Sequence, residues 1–338
     1  MKSLSLLSFV VPVYNTERYL PRCLDSLVAQ TDGDFEAVVV DDCSPGNCRE
    51  IVARYDARFR YVRHEKNLSL LQARLTGLRA AQGDYVIPLD SDDYVLPGLL
   101  ATLKKEIDSA VQPSTSNLQP SPDVIVYQMM YDDGKKITKT SVRYRDERLS
   151  AAEALDRFFA SRIQCGICGK AIRREIYLKA MDQLAVSEDF YLNSSEDLCQ
   201  TFPVLLNART VSTLAYPGYR YWSNGDSLTQ TLTDPARLGK AAENTRRVFD
   251  VLAEFVRRNG HDLALLSKLG EFQRPTLRWY LSSIRHQSET EWRACAAELC
   301  KHFEPALVAR EAMLLIEEST TFRLGRTLLH PVKRLLGK

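Results

Sequence analysis

The feature that most constrains this chain is a short apolar run that ends in three carboxylates. Residues 85–89 read Tyr-Val-Ile-Pro-Leu, and Asp90, Asp92 and Asp93 follow at once. A Gly83-Asp84 turn signal precedes the run, so we predict a buried β-strand over residues 85–89. Three acids at the end of a strand repel one another unless a positive charge lies among them.

A divalent hard cation is the usual partner of such an acidic cluster. Mg²⁺ and Mn²⁺ take carboxylate oxygens and keep coordination positions open for phosphate oxygens. A solvated acidic turn is the alternative, because an Asp-x-Asp triplet alone is common. The position of the cluster directly after a buried strand favours the metal.

Composition and length limit the classes of protein to consider. The chain has 338 residues, which suggests about two domains, and it is 45% hydrophobic with a formal net charge of +2. That charge gives no case for nucleic-acid binding. No apolar run approaches the roughly 18 residues of a membrane span. The apolar start at residues 4–13 lacks a cleavage site, so we expect a first core strand there and a cytoplasmic protein.

The eight cysteines are expected to be reduced, buried thiols, because no export signal is present. Cys165-Gly166-Ile167-Cys168 is a lone CxxC with no second pair at zinc spacing. The pattern therefore favours neither a metal centre nor a redox pair.

Strands and helices alternate along the N-terminal part of the chain. We predict strands at residues 6–13, 35–40, 60–64 and 85–89. Helices should begin at Asn15 or Thr16, at Ser44 before Pro45, and at about Leu68, with the second running to about Arg58. Parallel neighbours need crossover connections, so this alternation predicts a doubly wound, mostly parallel α/β sheet.

Ligands of such sheets bind beyond the carboxyl ends of the strands. Three of the predicted strands end in polar residues, namely Tyr14-Asn15, Asp41-Asp42 and the acidic cluster. No G-x-G-x-x-G follows the first strand and no G-x-x-x-x-G-K-[ST] occurs, which argues against a dinucleotide and a P-loop. We therefore expect a ligand whose diphosphate binds through a carboxylate-held metal.

The second half of this domain continues the α/β pattern. Residues 112–122 are rich in Pro, Ser, Thr and Asn and predict an exposed loop. A hairpin is expected over residues 123–144, and Ser150 with Glu153 forms a capping box that opens a helix. Glu196 and Asp197 lie at the start of another helix, where acids also complement the helix dipole without any chemistry. A strand should follow at residues 210–216.

The C-terminal part of the chain has a helical pattern. It extends to about Glu318, with breaks expected near Gly260, Pro275 and Pro305. We therefore expect a first domain over residues 1–232, with halves at 1–112 and 123–232, and an all-helical region over residues 233–338.

The last twenty residues predict a basic amphipathic tail. Residues 319–338 contain five cations and no acid, and Pro331 should split them into two short helices. Such a helix can lie in a membrane interface, where each cation near an anionic surface adds about 1 kcal/mol. A tail docked on the helical region with its cations in water is the alternative.

The first hundred residues resemble glycosyltransferase family 2, whose members include bacterial enzymes of polysaccharide synthesis. Enzymes of this family are inverting and have the A-type glycosyltransferase fold. The motifs occur in order: Pro12-Val13-Tyr14-Asn15, Val40-Asp41-Asp42-Cys43-Ser44, Ala73-Arg74, Ala81-Gln82-Gly83-Asp84-Tyr85 and Leu89-Asp90-Ser91-Asp92-Asp93. A weaker match continues through Gly169-Lys170, Glu196-Asp197 and residues 219–227. The resemblance covers roughly residues 5 to 230.

This resemblance implies a donor site. The segment Pro12-Val13-Tyr14-Asn15 would cradle the nucleotide base, and Asp42, or else Asp41, would accept the imide hydrogen of a base such as uracil. Asp90 and Asp92, with Ser91 between them, would hold Mn²⁺ or Mg²⁺ on the donor diphosphate. Asn224 or Asp226 would complete the metal shell.

The resemblance also implies a catalytic base, Asp197, with Glu196 beside it. The role of Arg74 stays open, because Ser69 and Leu75 stand where the family often has Gly and Asn. Arg74 would either contact the phosphates or the base, or be a solvated helix cation.

The implied function is metal-dependent, inverting transfer of a sugar from a nucleotide diphosphate sugar, expected to be a UDP-sugar, to a hydroxyl of a glycan or lipid-linked acceptor. The metal neutralises the departing diphosphate, and the base removes the proton of the acceptor. A catalytically inactive scaffold that binds nucleotide sugar or glycan is the alternative. A nucleotidyltransferase would want a glycine-rich loop after the first strand, and residues 12–19 have no glycine.

Overall fold

The computed structural model describes residues 6–109, 120–223 and 233–318. These residues divide into two units, one that ends at Ser223 and one that follows it. Within the described ranges, no helix is both long enough and apolar enough to cross a bilayer. Most of the loop expected at residues 112–122 lies outside these ranges, and so does the tail expected at residues 319–338.

The N-terminal half of the first unit is a parallel sheet covered by helices. Its strands are β1 (Leu7–Val13), β2 (Phe35–Asp41), β3 (Phe59–Arg63) and β4 (Tyr85–Pro88), paired in the order β3-β2-β1-β4. The connecting helices are α1 (Leu20–Val28), α2 (Cys48–Val52) and α3 (Leu70–Ala80). β1 and β2 are buried along their whole length, as expected for strands covered on both faces.

The rest of the first unit extends the same sheet. Its strands are β5 (Tyr94–Val95), β6 (Val124–Asp132), β7 (Ile137–Lys139), β8 (Glu147–Ser150), β9 (Lys170–Arg173) and β10 (Thr210–Trp222). Its helices are α4 (Leu99–Asp108), α5 (Ala151–Phe159), α6 (Arg174–Leu184) and α7 (Glu196–Asn207). β9 joins the halves by pairing antiparallel with both β4 and β6, and β10 then pairs parallel with β6. The predicted α/β fold with a mostly parallel central sheet is confirmed.

The second unit is helical in the part that the structure describes, as predicted. It consists of α8 (Pro235–Arg258), α9 (Ala264–Glu271), α10 (Gln273–Ser283), α11 (Glu289–His302) and α12 (Pro305–Glu318). α8, α10, α11 and α12 share one apolar core that contains Leu238, Tyr280, Trp292 and Val308. The Tyr280 hydroxyl donates to the Ala241 carbonyl, which satisfies the polar tip inside this core.

Two predicted helix starts are wrong, because tertiary contacts take the side chains that were expected to cap. Asn15 has a φ of 56°, and α1 begins only at Leu20. The Thr16 hydroxyl hydrogen-bonds Ser91 instead of a helix N–H. α2 is also shorter than predicted and begins at Cys48, because the Ser44 hydroxyl donates to the carbonyl of Val13 on β1.

Other local predictions have mixed outcomes. The capping box of Ser150 and Glu153 is confirmed, and so is the hairpin of β6 and β7. The break expected near Pro275 is confirmed, because α9 ends at Glu271 and α10 begins at Gln273. Pro275 itself lies in the first turn of α10, where its missing N–H is not needed. All eight cysteines are free thiols, and five of them are buried as expected. Cys43 and Cys300 are only partly buried, and Cys165 is exposed.

We expect Gly77→Ala to lower the free energy of unfolding. A Cβ at this position of α3 would lie 2.3 Å from Cγ1 of Val10 on β1. Overpacking typically costs about 1–3 kcal/mol, which exceeds the gain of up to about 1 kcal/mol that alanine brings to a helix interior. Urea unfolding of the variant and the wild type measures the difference.

Gly270→Ala in α9 is the matched control, because a Cβ there would meet nothing within 4 Å. We expect this control to keep or slightly raise stability. A Gly77→Ala variant as stable as the wild type would show that α3 does not pack this closely on β1.

Candidate active site

The loops after β1, β2 and β4 meet at one edge of the sheet. The hydroxyl oxygens of Thr16 and Ser91 are 2.7 Å apart, so a hydrogen bond joins the loop after β1 to the loop after β4. The Asn15 N–H donates to the Ser44 hydroxyl, which joins the loops after β1 and β2. The polar residues that follow these strands therefore share one region.

Arg74 on α3 links the acids of this region. Its side chain is 2% exposed, so the alternative of a solvated helix cation is wrong. Nη2 donates to Oδ1 of Asp90 at 2.7 Å. Nη1 donates to Oε1 of Glu196 at 2.9 Å and to Oδ1 of Asp197 at 3.2 Å. One guanidinium thus joins the end of β4 to the start of α7.

The two adjacent acids at the start of α7 have different environments. Glu196 is buried, and this burial, with the charge of Asp197, raises the pKa of Glu196 to about 7 against the pull of Arg74. The side chain of Asp197 is 37% exposed, and its Oδ1 also accepts the Ile167 N–H at 3.0 Å. Of the two, Asp197 is therefore the more accessible acid.

The loop that orients Asp197 is held by Lys170. This lysine is 1% exposed, and its Nζ donates to the carbonyls of Gln164, at 3.0 Å, and Gly166. Burial lowers the pKa of Lys170 to about 8. Ile167 belongs to the same loop, so Lys170 helps to position the Asp197 carboxylate without touching it.

The members of the acidic cluster differ in their partners. Asp93 is 1% exposed, and its carboxylate accepts the Tyr219 hydroxyl at 2.5 Å and the Trp222 N–H at 2.7 Å. Burial and the charges of Asp92 and Asp90 raise the pKa of Asp93 well above its usual range. Asp93 therefore ties β10 to the cluster.

Asp90 and Asp92 remain as the candidate metal ligands. Among the described residues, no group of three or more His, Cys, Asp or Glu is arranged to hold a metal. Mg²⁺ is commonly held by one or two carboxylates with substrate phosphates and water. The cluster fits that manner of binding, in which the donor diphosphate would supply further ligands. Asn224 and Asp226, expected to complete the shell, lie outside the described residues.

The predicted base-binding segment is partly exposed. Pro12 and Val13 are buried in β1, whereas Tyr14 is 52% exposed and Asn15 is also at the surface. An exposed aromatic ring beside the strand ends can stack on a planar base. The assignment of this segment to a nucleotide base stays a prediction.

The carboxylate of Asp41 is fully buried and already satisfied by the protein. It accepts the Ser44 N–H at 2.7 Å and the Tyr61 hydroxyl at 2.5 Å, and it pairs with Arg63. Because these donors surround it, Asp41 closes the turn after β2.

Asp42 orders the loop before α3. Its carboxylate accepts the N–H groups of Leu68, at 2.8 Å, and Ser69, at 3.0 Å, and contacts Nδ1 of His64 at 2.7 Å. Ser69 has a φ of 97°, a conformation that favours the glycine often found there in the resembling family. The role of Asp42 as an acceptor for the imide hydrogen stays a prediction.

Several residues of this region had no assigned role from the sequence. Arg22 donates to the Asp92 carbonyl at 2.5 Å, and its guanidinium lies 4.1 Å from the Trp222 ring centroid. Tyr219, which also accepts the Asp90 N–H, lies in a segment that matches the family motifs only weakly. Lys170 belongs to the Gly169-Lys170 motif of the resembling family, and this motif is the sequence feature that marks it.

Comparisons with known proteins agree on one family for this chain. The family model for Glycosyl transferase family 2 matches residues 8–176. The chain is 29% identical to the uncharacterized glycosyltransferase EpsJ of Bacillus subtilis over 238 residues, which are 68% of this chain and 65% of that protein. It is 28% identical to the poly(ribitol-phosphate) beta-N-acetylglucosaminyltransferase TarS of Staphylococcus aureus over 242 residues, 68% of this chain and 38% of that protein. The chain thus spans less than two thirds of the length of these relatives.

A solved structure shows the same fold. The crystal structure of S. aureus TarS 1-349 in complex with UDP-GlcNAc has a TM-score of 0.56 to this chain at 21% identity. The match covers 91% of this chain and 89% of that one. The expected A-type fold is confirmed.

We expect Arg74→Met to destabilise the first unit by about 3–5 kcal/mol at pH 8, because breaking a buried charge network leaves carboxylates uncompensated. The loss should be smaller at pH 5. The folded-state pKa of Glu196, about 7, is higher than the pKa of this group in the unfolded chain, so ionisation of Glu196 opposes folding as pH rises. At pH 8 Glu196 is mostly ionised and needs Arg74, whereas at pH 5 it is mostly protonated and needs Arg74 less. Urea unfolding at the two pH values measures both losses.

Arg74→Lys is the control for this prediction, since it keeps the cation but loses the two-pronged contact. It should be less destabilised, with weaker pH dependence. An equal loss at both pH values in Arg74→Met would assign the effect to packing rather than charge.

Proposed function

Because the chain belongs to glycosyltransferase family 2, we propose that it transfers a sugar from a nucleotide diphosphate sugar to a hydroxyl of a glycan or lipid-linked acceptor in cell-surface polysaccharide synthesis. The observation that carries the proposal is the network of Arg74, which joins Asp90 on one side to Glu196 and Asp197 on the other. Donor-side and acceptor-side acids are thereby held in one place.

The donor is proposed to be a UDP-sugar. The name of S. aureus TarS describes transfer of N-acetylglucosamine, and its structure is known with UDP-GlcNAc. Both support a hexosyl or N-acetylhexosaminyl donor for this chain. The segment Pro12-Val13-Tyr14-Asn15 would line the base, with Asp42 as the imide acceptor. Asp41 is no longer a candidate for that role, because its carboxylate is fully buried against Ser44, Tyr61 and Arg63.

Asp90 and Asp92 would hold Mn²⁺ or Mg²⁺ at the donor diphosphate. When bound, such an ion supplies charge neutralisation for the departing diphosphate. Arg74 keeps the Asp90 side chain in a fixed position through its 2.7 Å bond, and Ser91 is fixed by Thr16. The protein therefore offers its donor-side carboxylate already oriented.

Asp197 is proposed to be the base of an inverting, single displacement. Arg74 and the Ile167 N–H both hold its Oδ1, while its Oδ2 has no hydrogen bond within the described ranges. That oxygen can take the proton of the acceptor hydroxyl as the hydroxyl attacks. Glu196 is buried and would support Arg74 instead of reaching the acceptor.

Peripheral association with an anionic membrane surface stays a prediction from the sequence. It rests on the basic tail at residues 319–338, which lies outside the described residues. A position at the inner face of the cell membrane would place the protein beside a lipid-linked acceptor.

Asp197→Asn should lose about 10²–10⁴ in turnover and keep its donor affinity, because a positioned base contributes that much to rate. UDP release from UDP-GlcNAc with an acceptor measures turnover, and calorimetry measures donor affinity. Glu196→Gln is the control. Greater loss in that control, with normal turnover in Asp197→Asn, would move the role to Glu196. A product that retains the donor's anomeric configuration by NMR would contradict single displacement.

Asp92→Ala should abolish transfer and remove the gain in donor binding that Mn²⁺ brings, since a proposed metal ligand is lost. A thermal-shift panel of nucleotide sugars with and without Mn²⁺ is the measurement. Asp182→Ala, an exposed acid on α6, is the matched control. Donor binding by Asp92→Ala that equals wild type with and without Mn²⁺ would make the cluster structural.

The wild type itself tests the alternative of a catalytically inactive scaffold. Donor binding without transfer or hydrolysis by the wild type would favour that scaffold.

A further inference from the structure

A cavity lined by arginines lies in the first unit, apart from the acidic cluster. Its volume is about 370 Å³, and its wall includes residues of β8, of α5 and of the segments on either side of them. The charged and aromatic residues in this wall are Arg143, Tyr144, Arg145, Glu147, Arg157 and Arg162. No residue of the proposed donor site lines it.

The charges of this cavity are unbalanced. Glu147 pairs with Arg157 through two hydrogen bonds, one of them 3.0 Å long, and these bonds lower the pKa of Glu147. The other three arginines have no ion pair within the described ranges of the chain, and Glu147 is the only acid in the described wall. Three like charges around one cavity repel one another and attract an anion.

The cavity is connected to the proposed base by one loop. Tyr144 is 8% exposed, and its hydroxyl accepts the Gln164 N–H at 3.1 Å. Three residues later, the Ile167 N–H donates to Asp197. Nζ of Lys170 donates to the Gln164 carbonyl of the same loop. A ligand in the cavity would therefore lie beside Tyr144, whose hydroxyl is bonded to the loop that orients Asp197.

We propose that this cavity binds a phosphate group carried by the acceptor. The guanidinium fork matches two phosphate oxygens at once, and the Tyr144 hydroxyl keeps its hydrogen to donate. A volume of about 370 Å³ is within the range of small-molecule sites. The cavity is built from the half of the unit that supplies Asp197, which assigns the phosphate to the acceptor and not to the donor. This assignment rests on the proposed function.

The test is a titration of the full chain with inorganic phosphate, in which calorimetry measures the binding. We expect Arg143→Gln/Arg162→Gln to bind phosphate at least tenfold more weakly than wild type. Arg54→Gln/Arg79→Gln removes the same charge from the exposed surface of the other half and should bind as wild type does. An unchanged thermal shift with UDP-GlcNAc would show that the cavity variant is folded.

Two further probes identify the source of the phosphate. Glycerol 3-phosphate is the first probe. If it competes with inorganic phosphate, and the competition depends on Arg143 and Arg162, the result supports a phosphate on a soluble chain. Sedimentation with phosphatidylglycerol vesicles that the cavity variant loses supports a lipid-linked phosphate.

Equal phosphate binding by wild type and cavity variant, or none by either, overturns the inference even if the wild type transfers sugar. Phosphate binding that the cavity variant loses, in a protein that transfers no sugar, supports the cavity and overturns the proposed function alone.

Discussion

The buried guanidinium of Arg74 is the interaction on which the rest of the site depends. A cation that is 2% exposed costs several kcal/mol unless acids surround it, and here Asp90, Glu196 and Asp197 do so. These acids come from the end of β4 and the start of α7, which belong to different halves of the sheet. The same contact therefore closes the fold and assembles the site, so neither half could form the network alone.

The sequence predicted the strands and the fold class because those signals are local. The apolar runs of β1, β2 and β4 and the helical spacing between them are visible within windows of ten residues or so. The starts of α1 and α2 were wrong because their capping residues bond to distant partners. Thr16 bonds Ser91, and Ser44 bonds the carbonyl of Val13, and no local pattern announces such contacts.

The members of the candidate site were likewise easier to predict than their connections. A strand that ends in acids marks the cluster, but it does not show that Asp93 is bonded to Tyr219 and Trp222, more than a hundred residues away. From the sequence, Arg74 could be either a ligand contact or a solvated helix cation, because its burial depends on where α7 begins. Charge pairing across the sheet edge is a tertiary property, so only the folded chain separates the supporting acids from the exposed ones.

Glu196 and Asp197 show how the fold separates two adjacent carboxylates. Both contact Nη1 of Arg74, yet burial raises the pKa of Glu196 to about 7, while the side chain of Asp197 is 37% exposed. Asp197 has a second donor, the Ile167 N–H, from the loop that Lys170 holds. The first half of the sheet thus supplies the charge that balances this carboxylate, and the second half supplies its orientation. A base for single displacement needs both, because the carboxylate must be ionised and must point its remaining oxygen at one hydroxyl.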